Sequence, residues 1–154
     1  MMNEVVDSEA SALISTLLVE EDSVERWFDF GKNPSATEQV GKLIADRAHA
    51  YAPDAVASWS SPDETVLAHI VARELGAVRV GIELDLGLLS VLSELPAASR
   101  VMLISTFWNR VRPVASLRTL LEGQGHTVVA AASLVISSAG FDDAGDLPLI
   151  RLSD

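Results

Sequence analysis

The sequence predicts an α/β fold: a twisted, mostly parallel sheet flanked by helices on both faces. Two stretches predict it. After Arg100 an apolar run, Val101-Met102-Leu103-Ile104, is short and β-branched enough for a buried strand, and it leads through a polar loop into an amphipathic helix and a second apolar run. Upstream, Asp54–Trp59, a helix through Leu75 and Val78–Leu84 follow the same order. Such a unit sets its loop at the carboxyl end of a strand, where open α/β sheets bind ligands. Size agrees: 154 residues, 49% of them hydrophobic, are enough for one domain with its own core, opened by a short helical and aromatic segment over 1–34.

Composition narrows the function. There is no cysteine, which removes disulfides, thiol catalysis and thiolate metal sites. The acidic stretch Met1–Ala10 lacks the basic and apolar regions of a signal peptide. No apolar run nears the roughly 20 residues that span a bilayer, so a soluble cytoplasmic protein is expected. The formal net charge is −11, with no basic footprint for nucleic acid or an anionic membrane.

In order along the chain, Ser8–Glu20 reads as a helix capped by Ser8, with Leu13, Ile14, Leu17 and Leu18 as its apolar stripe. Val24–Phe30 holds Trp27, Phe28 and Phe30 in a short extended piece, read as core or as an edge strand covering one end of the sheet. An aromatic ligand shelf is the functional alternative. Gly31–Pro34 is a turn. Ser35 and Glu38 form a capping box for a helix to about Tyr51, with Val40, Leu43, Ile44, Arg47 and Ala48 at helical spacing and Pro53 beyond it. His49 near its end reads as a solvated or dipole-paired residue.

After the Asp54–Trp59 strand, Ser61 and Glu64 form a second capping box, with Pro62 and Asp63 between them and Gly76 closing the helix. A helix N-terminus binds anions through its free N–H groups and positive dipole end. Pro62 removes a donor there, and Asp63 with Glu64 adds negative charge. Leu86–Leu92 is expected to form a short apolar helix or turn that packs on the core or makes a subunit contact. Ser105–Arg112 is the polar loop, and Pro113 takes the first helical position. Val114, Leu117, Leu120 and Leu121 form the buried face, and Gly123 and Gly125 are candidate stops. Val128–Ile136 returns as a strand, Ser138–Asp146 is a turn region, and Leu149–Leu152 is a last short strand.

The spacing of the Arg100–Ser137 unit resembles the ligand-binding unit of type I phosphoribosyltransferases, closest to the orotate branch. In that family the strand is followed by two acidic residues, two apolar ones and Thr-Thr-Gly. The resemblance implies that the acids hold the ribose hydroxyls of phosphoribosyl pyrophosphate and that the turn cradles its 5′-phosphate. Here Ser105 and Thr106 stand where the acids belong, Asn109 and Arg110 replace the threonines, and Val111 replaces the glycine. The family's glycine-rich pyrophosphate loop falls on Ser60 and Ser61, where its open amides are lost. Its mobile-loop lysine has no counterpart, since no lysine follows Lys42. The resemblance implies a phosphoribosyltransferase-like core and, because family members commonly dimerise near this loop, a homodimer through Leu86–Leu92.

The candidate ligand or anion residues are therefore Ser105, Thr106, Asn109, Arg110 and Arg112, with Ser60 and Ser61 as an inactive remnant of the pyrophosphate loop. Two arginines ahead of a helix oppose its macrodipole; they make either a residual anion site for a small phosphorylated ligand or a screened answer to the acidic surface. His49, His69 and His126 show no metal-ligand spacing, and Asp142, Asp143 and Asp146 fit no calcium loop. The leading expectation is a protein that has lost catalysis and binds a ligand or partner, without a cofactor. The alternative is a divergent transferase, which would require Mg²⁺.

Overall fold

The computed structural model describes residues 2–20, 26–135 and 144–153. Helix α1 spans Met2–Leu17, so Ser8, the expected cap, lies inside it. Of the expected stripe Ile14 and Leu17 are buried and Leu13 is half-buried, while the helix ends before Leu18, which opens a strand; Ala10 is buried as well. Strands β1 (Leu18–Glu20) and β2 (Arg26–Phe28) then form their own antiparallel ribbon. The aromatic stretch is thus not an edge of the main sheet. Phe28 and Phe30 are buried, with ring centroids 6.1 Å apart, while Trp27 is exposed. Val24 lies outside the described residues.

Helix α2 spans Pro34–Ala48 and a 3₁₀ turn continues it through Tyr51. Its cap is Asn33, whose side chain accepts the Ala36 N–H at 3.1 Å, and not Ser35. The reason is local: Pro34 has its φ preset for the first helical position, which places the cap one residue earlier. Glu38 does not reach back but pairs with Arg73 of helix α3 (Pro62–Leu75) at 2.6 Å. The two helices pack closely at Gly41, where an added Cβ would lie 2.3 Å from Ile70 Cγ2.

Strands β3 (Ala55–Trp59), β4 (Val78–Asp85), β5 (Leu88–Val91), β6 (Arg100–Ser105), β7 (Thr127–Val135) and β8 (Leu149–Ser153) build a six-stranded sheet ordered β5-β4-β3-β6-β7-β8. Only the β4–β5 pair is antiparallel. Strands β3 and β6 are largely apolar along their buried lengths, with Ser58 and Ser105 the buried exceptions, because both faces are covered. On one face Val56, Met102, Ile104, Ala130 and Ala132 meet α1, α2 and α3. On the other, Ala57, Trp59, Val80, Leu103 and Ala131 meet helix α4 (Val114–Gly123).

A register shift between Val101 and Met102 lets β7 serve both layers. Val101 pairs with Val128 but Met102 pairs with Ala130, so Val129 is the extra residue. Without that bulge a one-residue slip would send every later side chain of β7 to the wrong face.

The segment 86–92 is neither a helix nor a simple turn. It is a β-hairpin: Leu86 and Gly87, both at positive φ (50° and 78°), connect β4 to β5. A two-residue loop with that backbone matches the twist of the strands it joins, and this explains the hairpin. Leu86, Leu88 and Leu92 are exposed. The expected strand to Ile136 ends in the described residues at Val135, and 136–143, with Asp142 and Asp143, lie outside them. Asp146 pairs with Arg118 at 3.0 Å. Among the described residues no helix is long and apolar enough to cross a membrane.

Candidate functional site

Strand β3 has its successor β4 on one side and β6 on the other. The sheet therefore changes its direction of winding between β3 and β6, and the crevice outside their carboxyl ends is the place where ligands bind in folds of this order. Two loops flank it. One is Ser60–Ser61, leading into α3; the other runs from Thr106 to Pro113, leading into α4.

On the α3 side Ser60 is exposed, and its backbone N–H is bound to the Ile82 carbonyl at 3.0 Å. Ser61 is the N-cap, but its side chain makes no capping bond. The expected Ser61–Glu64 capping box does not form. Glu64 instead turns inward, with only 8% of its surface exposed. Its Oε1 accepts the Thr106 hydroxyl at 2.6 Å, and both carboxylate oxygens lie 3.1 Å from the Thr106 N–H. Ser105 Oγ lies 3.3 Å from the same Oε1. Reaching back would have gained one N–H at the surface, whereas turning inward gains donors in a dry corner, where such bonds are stronger.

Ser105 and Thr106 are accordingly buried and committed. The Ser105 hydroxyl has one proton, and its nearer acceptor is the Phe107 carbonyl at 2.9 Å. Thr106 also accepts the Leu134 N–H at 3.1 Å through its carbonyl, which ties the end of β6 to β7. Burial holds the Glu64 carboxyl above its ordinary 4.5, against the opposing pull of the bonds from Thr106 and Ser105 and of the Arg112 charge. Among the described residues no cation forms an ion pair with it.

The second loop is organised by Asn109, whose side-chain oxygen accepts the N–H groups of Val111 at 2.9 Å and Arg112 at 2.7 Å. This is the local turn that Asn favours, and it occupies two amides that an anion would need. Pro113 is the N-cap of α4, not its first residue, so the arginines precede the helix rather than enter it. Arg110 and Arg112 are both exposed. The Arg112 guanidinium carbon sits 5.4 Å from the centre of the Trp59 ring, a cation–π arrangement. Trp108 is fully buried and its indole N–H donates to the Ala132 carbonyl at 3.0 Å. Its ring is tilted 60° to that of Trp59, with centroids 6.2 Å apart. Trp59 is the last residue of β3, and its own buried Nε1–H finds no acceptor among the described residues.

The structure thus gathers Ser105, Thr106, Asn109, Arg110 and Arg112 at one end of the sheet, with Ser60 and Ser61 on the facing loop. It separates them by role: two buried hydroxyls, one turn-forming amide, two exposed cations. Sequence reading missed Glu64 and Trp59 as members. The only signal was an acidic residue at the third helical position beside this crevice, and the capping-box pattern accounted for it equally well. Arg73, Glu38, Arg118 and Asp146 pair elsewhere.

By sequence the chain matches no protein-family model and no curated protein. Its fold has solved counterparts. It is similar to adenine phosphoribosyltransferase from Thermoanaerobacter pseudethanolicus, with a TM-score of 0.75 at 13% identity over 93% of this chain and 98% of that one. The adenine phosphoribosyltransferase of Trypanosoma brucei, solved with AMP, pyrophosphate and ribose-5-phosphate, gives 0.71 at 16% identity over 95% and 79%. The orotate phosphoribosyltransferase of Aeropyrum pernix gives 0.66 at 16% over 99% and 93%. The chain has the fold of type I phosphoribosyltransferases.

Proposed function

We propose that this chain, built on the phosphoribosyltransferase fold, does not transfer a phosphoribosyl group and serves as a ligand-binding or partner-binding subunit. The observation that carries this reading is the Glu64–Thr106 contact. The positions where the family resemblance implies ribose-binding acids hold hydroxyls, and both are already engaged: Thr106 by the Glu64 carboxylate from the first turn of α3, Ser105 by the Phe107 carbonyl. Mg²⁺ prefers an octahedral oxygen shell with one or two carboxylates and several waters. The donor set here does not fit it: one buried carboxylate, facing an N–H and hydroxyl donors. No catalytic step is assigned.

The exposed Leu86, Leu88 and Leu92 support a subunit contact, which we propose as a homodimer, with a small phosphorylated molecule as the ligand class for the crevice. A second reading, a divergent transferase of orotate-type nucleotide metabolism, draws on one observation. Arg110 and Arg112 remain exposed on the loop after β6, where they could hold phosphate.

Calorimetric titration with phosphoribosyl pyrophosphate, with and without Mg²⁺, separates the two. The native chain and Arg110→Ala/Arg112→Ala are expected to show no Mg²⁺-dependent heat. Mg²⁺-dependent binding that disappears in the double variant would overturn the proposal in favour of the transferase.

A further inference from the structure

A carboxylate buried without a cation is costly to keep, because desolvation is offset only by its hydrogen bonds. Glu64 is in that position. What the corner does offer is a receptor. The Thr106 N–H faces both carboxylate oxygens at 3.1 Å, the Thr106 hydroxyl meets Oε1 at 2.6 Å, and Ser105 Oγ stands at 3.3 Å. Thr106 is held in this pose from behind by Leu134. Every group that touches the carboxylate oxygens can donate. The Arg112 charge favours a negative occupant in the same corner. At the end of the neighbouring strand, the buried Trp59 Nε1–H has no acceptor among the described residues.

We infer that the end of β6 is an oxyanion-binding subsite, formed by the Thr106 N–H and hydroxyl with Ser105, and that Glu64 is its internal occupant, displaced when a carboxylate or phosphate group of a small ligand binds. This rests on the ligand-binding reading above and adds its regulation. The family resemblance implies the opposite polarity at these positions, acids receiving hydroxyls, so the subsite belongs to this chain's own residues. An internal occupant reduces apparent affinity by the fraction of molecules in which it has moved away. The site is therefore closed to weak anions in the resting chain.

The test compares native protein, Glu64→Gln, Glu64→Ala and Glu64→Ala/Thr106→Val, each checked for folding by circular dichroism. Sodium acetate, sodium phosphate and sodium chloride are titrated at matched ionic strength, reading the Thr106 amide resonance and the thermal midpoint. Glu64→Ala is expected to bind acetate or phosphate at least about tenfold more tightly than native protein, with a midpoint that rises beyond the chloride control as ligand linkage requires. Glu64→Gln falls between them, since a neutral acceptor holds the donors less strongly than a charged one. The double variant loses the gain. A response to acetate alone identifies a planar carboxylate ligand, and a response to phosphate alone a phosphorylated one; both support the subsite. Should Glu64→Ala not fold, the Gln variant against native protein decides. Equal responses in all variants, or a Thr106 amide that does not move, overturn the inference. Failure of phosphoribosyl pyrophosphate to bind does not bear on this result, because rescue by simple anions is independent of that substrate.

Discussion

Thr106→Val tests the organising contact of the crevice most directly. Valine keeps the volume and β-branching of threonine, so no cavity opens and the end of β6 keeps its backbone. What goes is the hydroxyl that donates to Glu64 at 2.6 Å, leaving the carboxylate the Thr106 N–H and the weaker Ser105 contact. A hydrogen bond to a charged group contributes about 1.5–3 kcal/mol, and one between neutral groups about 0.5–1.5 kcal/mol. The penalty should thus be roughly 1.5–3 kcal/mol where Glu64 is ionised and nearer 1 kcal/mol where it is protonated. For a domain of this size each kcal/mol moves the thermal midpoint by about 2–4 °C. Urea unfolding across a pH series starting below 4.5 follows the penalty from the protonated to the ionised case, with an unchanged m-value showing that only stability moved. A loss below about 0.5 kcal/mol throughout the series, the ordinary range of a surface substitution, would refute the contact. Combining Thr106→Val with Glu64→Gln in a double-mutant cycle isolates the pair, and a coupling energy near zero would have the same meaning.

Because burial raises the Glu64 carboxyl above 4.5, its contribution to stability is complete below that ordinary value and is lost as pH rises through the raised folded value. The groups that act on it are Thr106, Ser105 and Arg112, all of which pull the other way. Glu64→Gln should therefore flatten the fall in unfolding free energy on the alkaline side, and a slope identical to the native one contradicts the assignment. Gly41→Ala drives a methyl into Ile70 Cγ2 at 2.3 Å and should cost roughly 1–3 kcal/mol by denaturant midpoint; a neutral result would mean that α2 and α3 separate freely. Leu86→Asn puts a residue suited to positive φ at a position 96% exposed, so monomer stability should stay within about 0.5 kcal/mol of native. The same variant should weaken self-association in sedimentation velocity, and an unchanged profile removes Leu86 from the proposed interface. Arg112→Ala should alter Trp59 fluorescence and cost about 0.5–1 kcal/mol through the lost cation–π contact.

Periodicity and punctuation along the chain carried the architecture. The runs at 55–59, 78–85 and 100–105 are strands, the segments after Asn33 and Ser61 are helices, and their alternation implies a parallel sheet with ligand loops at one edge. These features are local: a face that must be buried, a proline that starts a helix, a glycine that ends one. Tertiary structure decided wherever one group had two partners to choose between. Glu38 left its expected cap for Arg73, Glu64 left Ser61 for Thr106 far along the chain, and β7 admitted Val129 as a bulge so that Ala130 and Ala132 could face the larger helical layer. The 86–92 segment became a hairpin because β4 offered it a pairing edge. A capping pattern records only what a side chain can reach in its own turn. Which donor it takes depends on the burial and geometry of groups that the folded sheet alone brings beside it.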